Sequence, residues 1–117
     1  MRVLIVDDNQ AMRRIVKAII QDLVEEIDEC SGGSEALEHF TSFSPDWVLM
    51  DIKMKDMDGL TATRELKRVF PAARVVIVTS YDEPSLREEA QAVGACAYIL
   101  KDNLRSLCDL LTKNSLD

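Results

Sequence analysis

The chain has 117 residues, 47 % hydrophobic and 30 % charged, which suits one domain whose core needs neither disulfides nor structural metal. Its 21 acidic side chains against 14 basic ones give a formal charge of -7, which disfavours non-specific binding to nucleic acid or anionic lipid. No apolar run approaches the roughly 18 residues needed to cross a membrane.

The chain opens with a four-residue apolar run, Val3 to Val6, followed at once by Asp7 and Asp8. That stretch is too short for a secretory leader and reads as a first strand. Ala11 to Leu23 places Met12, Ile15, Val16, Ile19, Ile20 and Leu23 at spacings of three and four, which predicts an amphipathic helix with those residues inward. A weaker strand is expected near Glu25 to Cys30, where Ile27 sits among acidic residues, as on a more exposed strand near an edge. Gly32 and Gly33 predict a turn, with Ser34 as the cap of a helix reaching about Thr41.

Trp47 to Met50 and Val75 to Val78 are continuous apolar runs, the pattern of strands covered on both faces of a parallel sheet. Between them, Leu60 to Phe70 repeats an apolar face at Leu60, Leu66, Val69 and Phe70, and Pro71 stops it. Glu83 to Val93 is a helix with Pro84 in its first turn and Gly94 at its end. Ala95 to Leu100 is the last strand and Leu104 to Leu111 the last helix. Ten alternating elements predict an α/β sandwich, a parallel sheet with helices on both faces. The tail from Thr112 to Asp117 is too short for a second domain, so 1–117 is expected to be one domain.

Three cysteines, Cys30, Cys96 and Cys108, lack C-x-x-C spacing and read as reduced thiols of a cytoplasmic protein. A single histidine, His39, gives no support to Ser-His-Asp or Cys-His catalysis.

In a sheet of this kind, function gathers outside the carboxyl ends of the strands. Strand 1 ends in Asp7-Asp8, strand 3 in Asp51, strand 4 in Thr79-Ser80 and strand 5 in Lys101. Taken singly, each has an ordinary use. Asp7 or Asp8 can cap the next helix, Asp51 can be a loop carboxylate, Thr79 can bond a turn, and Lys101 can be solvated. Taken together they form one chemical set. Carboxylates brought close repel each other, and a divalent cation with oxygen ligands removes that penalty. Magnesium with a nearby lysine and hydroxyl suits phosphoryl transfer. Asp51, alone on the central strand, is the candidate covalent acceptor, and Asp7 with Asp8 the metal pair.

These residues resemble the receiver domain of two-component response regulators. The resemblance rests on Val3 to Asn9, on Ser44 to Met54 with Met57 to Leu60, on Val75 to Ser80, and on Gly94 to Lys101. It implies a flavodoxin-like (βα)5 fold, a three-layer sandwich with five parallel strands in the order 2-1-3-4-5. It also implies that Asp51 is phosphorylated, with Mg2+ held by Asp7, Asp8, Asp51 and the Lys53 carbonyl. Lys101 would contact the phosphoryl group, and Thr79 and Tyr98 would be the switch pair. The implied partners are a histidine kinase or phosphotransfer protein and a second copy in a homodimer, with no direct nucleic-acid binding and no membrane. The chain would catalyse only its own phosphorylation and dephosphorylation.

Lys55 stands where the family usually has proline, and Asp102 where it often has proline after a cis bond. Lys-Asp at this last point is similar to the subfamily joined to helix-turn-helix DNA-binding domains, so control of transcription through an output domain outside this chain is implied. Two other readings compete: a receiver-like interaction module that no longer phosphorylates, and a haloacid-dehalogenase-like phosphatase. The second needs another aspartate two residues after the nucleophile, where this chain has Lys53. Trp47, four residues before Asp51, is expected to report metal binding through its fluorescence.

Overall fold

The computed structural model describes residues 1–115, with side chains through Lys113; the last two residues of the expected tail, Leu116 and Asp117, lie outside the described residues. Five strands and five helices alternate along the chain. They are β1 (Arg2–Val6), α1 (Gln10–Ile20), β2 (Glu26–Cys30), α2 (Gly33–Phe43), β3 (Trp47–Met50), α3 (Gly59–Val69), β4 (Val75–Thr79), α4 (Pro84–Ala92), β5 (Ala97–Leu100) and α5 (Leu104–Ser115). The strands pair in parallel in the order β2-β1-β3-β4-β5. This is the predicted flavodoxin-like arrangement.

The continuous apolar runs are explained by the two-residue period of a strand. Leu4, Val6, Val48, Met50, Val75 and Ile77 face a core shared with Ala36, Leu60, Leu66 and Ala90 of α2, α3 and α4. Val3, Ile5, Trp47, Leu49, Val76 and Val78 face the other core, with Val16 and Ile20 of α1 and Leu104, Leu107 and Leu111 of α5. Each face is covered by helices, so neither set of alternating positions tolerates a polar side chain. The acidic strand β2 lies at the edge, where it is covered less completely.

Several local expectations are corrected. The stripe on α1 is narrower than its periodicity implies. Val16 and Ile20 are buried, whereas Ile15, Ile19 and Leu23 are exposed by 50, 38 and 38 %. The two rows differ by one residue, and so by about 100° around the helix. Only one row meets the sheet. Ser34 does not cap α2. Gly32 takes the cap position without a side-chain bond, and the Ser34 hydroxyl donates instead to Asp56. Val69 on α3 is 45 % exposed, while Ala62 and Thr63 occupy the buried face. β5 begins at Ala97 rather than Ala95, because Gly94 turns with φ 99° and the chain then needs two residues to enter the sheet. The Lys101–Asp102 peptide is trans, as expected for a bond without proline.

Candidate functional site

The pocket is built by strand ends. The Asp51 amide donates to the Val6 carbonyl at 2.9 Å, and the Asp7 amide to the Cys30 carbonyl at 3.2 Å. These bonds extend the ladders β3–β1 and β1–β2 by one step, so the first polar residues after each run are set side by side. One carboxylate oxygen from each of Asp7, Asp8 and Asp51 lies within 4.8 Å of the others. Asp7 and Asp51 are buried, exposed by only 5 and 7 %.

The cap of α1 is Asn9, whose Oδ1 accepts from the Met12 amide at 3.1 Å. Capping therefore does not occupy Asp8. Asp7 Oδ1 accepts from the Asn9 amide at 2.9 Å, which orients the carboxylate toward the pocket. The Asp51 carboxylate is likewise held by the amide of Ile52 at 2.9 Å. Asp8 accepts from the Lys55 amide at 3.2 Å. That bond needs an N–H, which proline lacks. Lys55 thus anchors the loop after β3 by a hydrogen bond where proline would have stiffened it.

Lys101 completes the cluster. Its Nζ lies 3.0 Å from Asp7 Oδ2 and 3.3 Å from Asp51 Oδ2. Burial, and then the Asp7 charge, push the Asp51 carboxyl above its ordinary value, and Lys101 opposes them. Burial alone would lower the Lys101 ammonium, but its hydrogen bond to Asp7 and the charge of Asp51 win and raise it.

The loop after β3 returns to the pocket through Asp58 and Gly59. Asp58 caps α3, accepting from the amides of Leu60 and Thr61 at 2.9 and 3.0 Å. A Cβ on Gly59 would stand 1.8 Å from the Asp51 carbonyl oxygen, so only glycine permits this approach.

Thr79 and Tyr98 are not among the clustered charges. They form a second group joined through Tyr81. Thr79, fully buried, accepts from the Tyr81 amide at 3.3 Å, and the Tyr98 hydroxyl donates to the Tyr81 carbonyl at 2.6 Å. The Lys53 ammonium lies 5.3 Å from the centre of the Tyr81 ring, and Arg87 sits 4.5 Å over the ring of Tyr98. The Lys101 amide donates to the Thr79 carbonyl at 2.8 Å, which ties the two groups together.

Residues 3–112 match the sequence pattern of the response regulator receiver domain. The chain belongs to that family. It is 38 % identical over 101 residues to the chemotaxis protein CheY of Bacillus subtilis, covering 86 % of this chain and 84 % of that protein. It is 33 % identical over 117 residues to the response regulator protein VraR of Staphylococcus aureus, covering 97 % of this chain but 56 % of VraR. This receiver domain therefore spans little more than half of that relative. The crystal structure of the receiver domain of the histidine kinase CKI1 from Arabidopsis thaliana, complexed with Mg2+, superposes with a TM-score of 0.85 at 28 % identity, over 96 % of this chain and 90 % of that one.

Sequence reasoning missed the part played by Arg13, whose guanidinium donates to the Asp7 carbonyl at 2.6 Å and to Glu29 at 3.1 Å. An arginine beside the apolar stripe of a helical pattern carries no signal for this. It also missed Tyr81 as the joint between Thr79 and Tyr98. A threonine bonding the amide two residues on is a known turn pattern and was open to inference.

Proposed function

We propose that this receiver domain is a phosphorylation-controlled switch whose acceptor is Asp51. The observation that carries the reading is the buried Asp51 carboxylate, held between the Ile52 amide and the Lys101 ammonium beside Asp7 and Asp8. Receiver domains bind Mg2+ at an acidic pocket, and three hard oxygen donors without sulfur or nitrogen suit that ion. Asp7, Asp8, Asp51 and the Lys53 carbonyl are the residues that would hold it. When bound, it neutralises carboxylate and phosphoryl charge.

Asp51 attacks phosphorus in line. The O–P bond forms as the P–N bond of a histidine kinase or phosphotransfer protein breaks, or the P–O bond of a small donor such as acetyl phosphate. Lys101 stabilises the charge spread over the transferred oxygens, the principal demand of such a step. Water then attacks the same phosphorus, the Asp51 O–P bond breaks and inorganic phosphate leaves, so the domain acts on itself rather than as a turnover enzyme.

The Thr79 hydroxyl leaves the long bond to the Tyr81 amide for a phosphoryl oxygen. Tyr98 then exchanges its bond to the Tyr81 carbonyl for another rotamer, which alters the surface around α4 and β5. The likeness to a DNA-binding response regulator of the LuxR family supports control of transcription through an output domain, and the same reading includes a cytoplasmic location and no nucleic-acid contact by these residues. The exposed row Ile15, Ile19 and Leu23 favours the α1 and α5 side for homodimer pairing.

The test is phosphoryl incorporation from acetyl phosphate with Mg2+. Wild type should label and Asp51→Asn should not. Equal labelling of the Asn variant sinks the assignment.

A further inference from the structure

A second group of ligating side chains lies between β2 and α2, next to the carboxylate pocket, since Glu35 and Asp8 line one cavity. Cys30, Glu35 and His39 each bring one ligand atom to within 4.8 Å of the other two. The arrangement follows from matched spacings. Asp28 and Cys30, two apart on β2, share the face that meets α2. Glu35 and His39, four apart, share one face of α2. Two strand residues rise about 6.6 Å and four helical residues about 6 Å, so the two pairs lie rung against rung. Asp28 meets His39, and Cys30 meets Glu35.

We propose that Cys30, Glu35 and His39 form a binding site for a zinc ion, distinct in donor chemistry from the carboxylate pocket beside it. One thiolate, one imidazole and one carboxylate are a zinc donor set, leaving a fourth position for water. Magnesium does not take sulfur, so the two sites select different metals. In a tetrahedral zinc site donor atoms stand about 3.5 Å apart.

Three further features fit. His39 Nδ1 is bonded to Asp28 Oδ2 at 2.7 Å, the carboxylate–histidine pairing that orients an imidazole, so in the proposed site Nε2 would take the ion. Cys30 is only 5 % exposed, and its thiol donates a long bond of 3.7 Å to the Gly32 carbonyl. Glu35 is exposed, which opens a path for entry. On binding, the Cys30 S–H bond is replaced by a sulfur–zinc bond and the proton passes to solvent. The thiolate and carboxylate then balance the ion's two charges.

The test is a Co2+ titration of the reduced protein followed by absorbance, then displacement by Zn2+. A thiolate-to-cobalt band in the near ultraviolet, saturating at one equivalent, is expected. It should persist in a large excess of Mg2+ and in Asp51→Asn, which separates this site from the phosphorylation reading. It should vanish in Cys30→Ser and be unchanged in Cys96→Ser and Cys108→Ser. His39→Gln alters a half-exposed residue and leaves the core alone, so it tests the site even where Cys30→Ser fails to fold. It should weaken Co2+ binding more than tenfold, and Asp28→Asn by about 10- to 100-fold. A wild type without the band overturns the proposal, as does a band that His39→Gln leaves unaltered or that follows Cys96 or Cys108.

Discussion

The Lys101 ammonium reaches from the end of β5 across β4 to stand 3.3 Å from the Asp51 carboxylate at the end of β3. One flexible cation thereby compensates two buried carboxylates, since Asp7 lies at 3.0 Å from the same nitrogen. Replacing Lys101 with Met should leave Asp7 and Asp51 facing each other unpaired. The expected loss at neutral pH is about 3 kcal/mol. Urea unfolding should show it, and adding Asp51→Asn to the variant should recover much of the loss, because the two sites are coupled.

Asp51 itself is held at a cost. Its folded carboxyl titrates above the unfolded one, through burial and the charge of Asp7. A raised carboxyl contributes stability that is full below the unfolded value and is lost as pH rises through the folded value. Asp51→Asn should therefore make the metal-free protein more resistant to urea at pH 7. The advantage should shrink as pH falls toward 4. An Asn variant less stable than wild type at pH 7 contradicts this sign.

Glu29 has the opposite sign. Its bond to Lys17 at 2.5 Å outweighs the opposing effect of burial and, with Arg13 adding to it, holds its carboxyl below the ordinary value. Such a group stabilises above the unfolded value and loses that contribution as pH falls through the folded one. Glu29→Gln should cost about 0.5–1 kcal/mol at pH 7 and little at pH 3. Midpoints of urea unfolding at the two pH values check it.

Gly59→Ala would drive a methyl group into the Asp51 carbonyl at 1.8 Å, with Met50 Cγ at 2.9 Å behind it. Backbone on both sides must move. About 3 kcal/mol of destabilisation is expected, together with loss of acetyl phosphate labelling as Asp51 is displaced. Asp58→Ala, which removes only the cap of α3, should cost about 1 kcal/mol and keep labelling.

Burial makes much of the fold legible in one dimension. A strand covered on both faces admits no polar residue, so the first polar residue after each run marks its carboxyl end. That reasoning found Asp7, Asp51 and Lys101, and the parallel ladders bring them within bonding distance. Periodicity located α1 and α3, because an apolar stripe repeats whether or not its partner is known, while turn, proline and glycine signals marked α2 and α4.

What lay beyond the sequence depends on which surface meets which. Nothing in the spacing of Ile15 and Val16 says which row of α1 faces the sheet, and the packing of α1 and α5 decided it. Trp47 begins β3 and Asp51 follows its last residue, about 13 Å away by strand rise, and Arg74 lies 4.0 Å over the Trp47 ring. Its fluorescence is then a weaker reporter of metal than a separation of four residues suggests. The pairing of Asp28 with His39, and of Cys30 with Glu35, needs a strand and a helix laid side by side. Local pattern determines the elements because propensity and burial act within a few residues. Contacts between elements are set by the whole sheet, and only there do Lys101, Arg13 and Tyr81 acquire their partners.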